Sequence, residues 1–363
     1  MRRFLIFVLT FFIIGKSFCQ NKEKTSISGQ VFGDYFYNIE RDDSISKINN
    51  AILNDPKNFN GFIFRRLNLT FNHTFTEKLS TRVNVEADQK ALTSDGKIGF
   101  FIKDLFLKID SFLIPYNTLK LGIIPTPVRD ISERWWNHRF LEKTITDLRG
   151  IVSTRDFGIE VNTNFFNKKM FFNLMLGNGS YLKIEKNRFK NIYSLLGFNP
   201  LKNFITYFTF SYFFNDKKFN QYEETYINND NYLITLFIGY NKKDTFSVGI
   251  ELFTQTLNNE YLDTINKKFN TYKKLGATIY AWAYLNKKIS LVGRFDYYEP
   301  NDLSFKKEDI IYYMLFGINY YAFQKKIIFS PNIIIEFYEQ KINIENKKTK
   351  PSVTPRLTFY WSF

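Results

Sequence analysis

The side chains that could do chemistry are concentrated in one stretch. Between Pro125 and Ser153 stand Arg129, Arg134, Arg139, Lys143 and Arg149, interleaved with Asp130, Glu133, Glu142 and Asp147. Five cations against four anions in about 29 residues suit the handling of ions rather than bond making. The two histidines, His73 and His138, show no Cys/His/carboxylate spacing of a zinc site. Neither has a serine partner by pattern, and a glycine-rich phosphate loop is absent. The one cysteine, Cys19, lies close to the N-terminus. Asn228–Asp230 and the acids near it read as a solvated loop. The inventory therefore implies no enzyme, no metal, no cofactor and no nucleic-acid partner.

The elements that must position this stretch show a two-residue period. Leu79, Thr81, Val83, Val85 and Ala87 alternate with Ser80, Arg82, Asn84, Glu86 and Asp88. Phe246, Val248, Ile250 and Leu252 alternate with Ser247, Gly249 and Glu251. Ile333, Ile335 and Phe337 alternate with Asn332, Ile334 and Glu336. Successive strand side chains point to opposite faces, so each segment has one apolar face. The spacing predicts sixteen strands: 25–39, 61–75, 79–90, 98–110, 117–124, 154–165, 169–177, 189–199, 202–214, 231–241, 244–255, 272–285, 288–299, 309–323, 326–339 and 352–363. Short turns such as Thr76–Lys78, Phe166–Lys168 and Lys242–Lys243 alternate with long connections at 40–60, 125–153, 178–188, 215–230, 256–271, 300–308 and 340–351. That rhythm is the construction of a transmembrane antiparallel β-barrel. Barrels of this size enclose a water-filled lumen.

Composition agrees. Aromatic residues make up 19% of 363 residues, with 42 Phe and 23 Tyr, yet the mean hydropathy is -0.27. The longest apolar run, Phe4 to Ile14, is too short for a membrane-spanning helix. It follows Arg2 and Arg3 and precedes Ser17 and Cys19, the pattern of a secretory signal peptide. We expect residues 1–19 to be removed and 20–363 to form a single barrel domain. The formal charge of +15 then falls to +12, because Arg2, Arg3 and Lys16 leave. Much of the excess sits in lysine pairs at turns and strand ends, such as Lys242–Lys243 and Lys287–Lys288, which places it at the rims.

The lumen faces carry Arg66, Arg82, Lys108, Lys120, Arg294 and Arg356 against Glu86, Asp88, Asp104, Asp110, Asp156, Glu160, Glu251, Asp296 and Glu336. This wall alone is no arginine ladder, so any anion preference must come from the third long loop. The loop at 125–153 has near-helical spacing of Ile131, Trp135 and Phe140–Leu141. A connection that long is usually functional. We expect it to fold inward, wedged by Trp135 and Trp136, with Arg129, Arg134, Arg139, Arg149 and Glu133 at the constriction and Arg66, Arg82, Glu86 and Asp88 lining the pore. His73 falls on the lipid face and His138 in the loop. Leu357, Phe359, Trp361 and Phe363 form an aromatic-rich lipid face on the final strand. Such a strand is the expected contact for barrel-insertion machinery.

Phe64-Arg65-Arg66-Leu67-Asn68-Leu69-Thr70 and Arg82-Val83-Asn84-Val85-Glu86-Ala87-Asp88 resemble early strands of the phosphate-selective porin O/P family of Bacteroidetes. So do Leu121 through Pro127, Glu133 through Arg139, Glu142-Lys143-Thr144 and Ser153 through Gly158. The likeness covers about 60–165. It implies a homotrimeric 16-stranded channel in outer-membrane lipid and, in some members, an anion-binding constriction. The function expected is passive diffusion of small hydrophilic solutes, with anions such as phosphate among them. The alternative is a structural or adhesion barrel without an open pore.

Overall fold

The computed structural model describes residues 23–42, 56–303, 310–339 and 349–363. The signal segment at 1–19 lies outside the described residues. The chain closes into one barrel of sixteen antiparallel strands. Its first half comprises β1 (Lys24–Tyr37), β2 (Asn60–Thr74), β3 (Leu79–Leu92), β4 (Ile98–Asp110), β5 (Asn117–Pro125), β6 (Arg155–Phe165), β7 (Met170–Gly177), β8 (Asn191–Phe198) and β9 (Phe204–Phe213). A small separate hairpin, β10 (Lys218–Asn220) and β11 (Thr225–Ile227), follows. The barrel resumes with β12 (Asn231–Lys242), β13 (Phe246–Asp263), β14 (Lys268–Tyr284), β15 (Ile289–Glu299), β16 (Ile310–Ala322), β17 (Ile327–Glu339) and β18 (Ser352–Ser362).

The expected strands appear with small shifts at their ends. The larger departure is at 256–271, read as a long connection. There β13 and β14 run on, with a register shift between Leu257 and Tyr261, and pair down to Asp263 and Lys268. Asn258, Asn259 and Glu260 give this extension no apolar face, so its strand period was invisible. The lipid face is as the alternation required: Leu357, Trp361 and Phe363 are exposed, while Thr354, Arg356 and Thr358 are buried inside. His73 lies beside the Phe71 and Phe75 rings and shares a 2.8 Å hydrogen bond with Thr25 Oγ1.

Two of the register shifts are bulges that each turn an extra cation inward. Between β1 and β2 the pairing skips from Phe32–Arg66 to Gly33–Phe64, leaving Arg65 as the additional residue. Between β3 and β4 it skips from Asn84–Asp104 to Val85–Ile102, leaving Lys103. A bulge adds one residue against a single partner and re-aims side chains. Arg65 therefore joins Arg66, and Lys103 joins Asp104, on the buried side.

The barrel closes where β1 meets β18. Gly29 N–H donates to Phe363 O at 2.9 Å, and Phe363 N–H donates to Gly29 O at 3.0 Å. The Phe363 ring covers Gly29 and the Phe359 ring covers Gly33, so a Cβ at either glycine would overlap the ring. Gly29→Val should therefore lower the yield of heat-modifiable, folded barrel severalfold. Gly61→Val should fold as the parent does, because a Cβ there meets nothing within 4 Å. Equal folding of the two variants on unheated gels would remove the seam contact from the account.

Candidate functional site: the loop docked in the lumen

The connection from β5 to β6 folds into the barrel. It carries two helices, α1 (Pro127–Trp136) and α2 (Ile145–Leu148). Pro127 sits at the first helical position, where its missing N–H costs nothing. Asn137 ends α1 in the left-handed conformation at φ 52°. Helix α1 runs against β7, β8, β9, β12 and β13.

The segment after α1 has irregular backbone inside the barrel, where unpaired carbonyls would be costly. Four consecutive ones are taken by side chains. Arg65 donates to Phe140 O at 2.9 Å and to Leu141 O at 2.8 Å. Arg356 also donates to Leu141 O, at 2.9 Å. The Trp136 indole donates to Glu142 O at 2.7 Å, and Arg294 donates to Lys143 O. Farther on, Gln255 donates to Ile151 O at 3.1 Å. The two clamping arginines are balanced by Asp34 and Glu142, at 3.3 to 3.7 Å.

Apolar contacts complete the docking. Trp136 packs edge-on to Tyr280 with centroids 5.0 Å apart, and Trp135 lies 6.2 Å from Phe237. Phe140 and Leu141 join a buried cluster with Phe32, Trp282, Leu315 and Ile334. On β14–β17 the lumen face is therefore partly apolar. The available signal was a hydrophobic residue on an otherwise polar face, such as Ile334 between Asn332 and Glu336.

The sequence-derived site residues occupy different situations. Arg129 is fully buried and pairs with Asp147 at 2.8 Å and Glu133 at 3.0 Å. Arg139 bonds the same Asp147 at 3.1 Å. Arg149 crosses to the wall, where it bonds Glu336 at 2.9 Å and lies over the Tyr298 and Tyr313 rings. Arg134 is the exposed member, its side chain 67% accessible and paired with Asp130 one turn back. It borders a cavity of about 440 Å³ on the short-turn side, with Asn162, Asn164 and Asn241.

The opposite wall, β2–β6, is a mosaic of ion pairs. Arg66 lies 3.3 Å from Glu86 and 3.6 Å from Asp88, and Lys103 lies 2.6 Å from Glu86. Arg82 and Arg155 share Asp104, and Lys120 bonds Glu160 at 2.8 Å. Arg66, Glu86 and Asp88 thus stand together with Lys103, and Arg82 meets Arg155 at Asp104; the two-residue period did not assign Lys103 and Arg155 to this wall. The loop's polar side faces these groups. Burial alone would push Glu133 up, but Arg129 and Arg139, helped by Lys103 and Arg155 of the wall, hold it at about 2. Burial opposes Glu142 likewise, and Arg65 and Arg356 hold it at about 2. Asp147 is held far below the carboxylate range by Arg129 and Arg139, against its burial.

His138 is enclosed by the rings of Trp136, Phe140 and Trp282, at centroid distances of 5.3 to 5.6 Å. Its Nδ1 is 2.9 Å from Trp136 O, and its buried Nε2 has no partner. Burial lowers it to about 4 from 6.5. A lowered value means the docked loop prefers the neutral ring, so this contribution is full above pH 6.5 and is lost as pH falls toward 4. Glu133 and Glu142 keep their contribution above the ordinary 4.5 and lose it only as pH falls toward 2. The thermal midpoint of the detergent-solubilised barrel should thus decline in two stages on acidification. His138→Phe should remove the first stage and keep the second; a parental first stage in that variant would rule the histidine out. Arg149→Met leaves buried Glu336 without its cation and with the Tyr338 hydroxyl at 2.8 Å, and removing one member of a buried pair typically costs about 3–5 kcal/mol. Limited proteolysis should then cut within 137–150 faster than in the parent, and an unchanged rate would show that this pair does not anchor the loop.

No protein-family model matches the chain, and no curated protein matches it. Solved structures do. The outer-membrane channel DcaP of Acinetobacter baumannii aligns over 94% of this chain and 97% of its own, with TM-score 0.66 and 11% identity. The anion-selective porin from Comamonas acidovorans aligns over 94% and 100%, with TM-score 0.63 and 10% identity. OmpF of Salmonella typhi aligns over 94% and 98%, with TM-score 0.61 and 11% identity. At such identities the likeness is one of architecture, and the chain has the fold of the outer-membrane porin barrels.

Proposed function

We propose that the protein is an outer-membrane porin, a passive diffusion channel for small hydrophilic solutes. The observation that carries this reading is a 16-stranded barrel whose β5–β6 loop is docked inside the lumen, its charged side turned to a charged wall. A loop that only decorated the surface would have no use for wall arginines bonded to its carbonyls. In this reading Arg134, Asp130, Glu133 and Arg139 border the narrowest passage, opposite Arg66, Arg82, Glu86 and Asp88. Arg129 and Arg149 act through the loop's position. Every wall cation named there has a carboxylate partner, which favours weak ion selectivity over a strict anion filter. Homotrimeric assembly, membership of the phosphate-selective porin O/P group and passage of phosphate belong to the same proposal. They rest on the resemblance over about 60–165.

One observation favours the second reading, a structural barrel without an open pore. The cluster of Trp136, Phe140 and Leu141 against β14–β17 occupies that side of the lumen. Single-channel recording in planar bilayers separates the two. The porin reading expects discrete conductance steps. It also expects Arg134→Gln with Arg139→Gln to move the reversal potential toward cations, because low-dielectric walls focus the field of a few charges. Lys242→Gln with Lys243→Gln at the rim should shift it much less, and that shift should vanish at 1 M salt, where screening shortens to about 3 Å. Absence of steps would favour the closed barrel, and equal shifts would place the two loop arginines outside the passage.

A further inference from the structure

The charge mosaic stops above the docked loop, on the side of the long connections. There a cavity of about 250 Å³ is bounded by Asn178, Asn187, Asn191, Asn215, Asn231 and Gln255. Among the described residues, its lining includes one cation, Lys274, and no carboxylate. Acids do occur close by, but they are spent on the walls. Asp156 accepts the N–H groups of Gly179 and Tyr181, at 2.8 and 3.2 Å, and the Tyr193 hydroxyl at 3.0 Å. Asp230 accepts Asn215 N–H at 2.8 Å and the Tyr212 hydroxyl at 3.0 Å. Both wall segments are therefore set before a ligand arrives, which lowers the ordering cost of binding.

The carboxamides keep unspent capacity. Each offers two N–H donors and an oxygen with two lone pairs. Asn187 uses its oxygen for Phe189 N–H, and Asn231 uses its own for Asn258 N–H, so both amide nitrogens remain. Asn215 uses its nitrogen, leaving the oxygen. Gln255 gives its nitrogen to the loop carbonyl of Ile151, and its buried oxygen has no partner. The Tyr181 and Phe213 rings add apolar faces to the same cavity. Spare donors and acceptors are thus both present in the lining of a preformed pocket with little charge, beside aromatic surface. Hydroxyl groups, which donate and accept at one atom, match that pattern; a carboxylate or phosphate would find mostly neutral groups.

We propose that this cavity is a binding subsite for neutral polyhydroxylated solutes of mono- or disaccharide size, entered from the long-connection side. The inference deepens the porin reading by naming a solute class and rests on it for the route. Isothermal calorimetry of the full barrel in lauryldimethylamine oxide, with maltose as probe, tests the site itself. The expected result is saturable binding that inorganic phosphate does not displace. Asn187→Leu with Asn231→Leu should weaken it at least tenfold. Tyr181→Gly, which suits the positive φ of 63° at that position, should also weaken it; heat-modifiability confirms that each variant is folded. No saturable heat, displacement by phosphate, or parental affinity in both variants would overturn the proposal. Conductance steps without maltose binding would sink the subsite and leave the porin, whereas binding without conductance would do the reverse.

Discussion

The structure depends on the satisfaction of irregular backbone inside a barrel. A loop that leaves the rim and enters the lumen brings carbonyls away from bulk water, and each needs a donor. Arg65, Arg356, Arg294 and the Trp136 indole supply them for residues 140–143. Those donors come from β2, β18, β15 and the loop itself, so the loop can dock only when the barrel has closed. The β1–β18 seam, with Phe363 and Phe359 over Gly29 and Gly33, is therefore upstream of everything the loop does.

Once the loop is docked, charge pairing follows as a necessity. Asp34 and Glu142 balance the two clamping arginines, and Asp147 balances Arg129 and Arg139. Replacing such pairs by apolar groups can be neutral for stability, but an apolar lumen could not carry water or hydrophilic solutes. The molecule separates the two demands by position. Against β14–β17 the loop is held by aromatic packing together with the Arg149–Glu336 pair and the Arg294 donor, whereas toward β2–β6 it presents ion pairs to an ion-paired wall. Beyond the loop, at the long-connection mouth, carboxamides replace charges.

The bulges show how little sequence change sets this arrangement. One extra residue in β2 and one in β4 convert positions that the two-residue period would send to lipid into inward-facing Arg65 and Lys103. The same inserted residues would be intolerable in a regular strand, where they would place a cation against hydrocarbon. Arg65 then serves the loop, and Lys103 serves the wall.

The sequence by itself determined the barrel, the positions of its sixteen strands apart from the β13–β14 extension, the lipid face and the special character of 125–153. Each of these is carried by local information: alternation at period two, turn length, and a break in that period at Pro125 and Pro127. The tertiary structure decided the rest. The partners of Arg129, Arg149 and Glu142, the inward turn of Arg65 and Lys103, and the aromatic cage around His138 all join residues far apart in the chain or depend on pairing register. A bulge changes the parity of a strand at a point fixed only by pairing register, and a loop crossing the lumen meets whichever wall the closure of the barrel brings opposite. Local pattern contains neither quantity: the first is set by the register in which β1 pairs with β2 and β3 with β4, the second by the closure of β1 on β18.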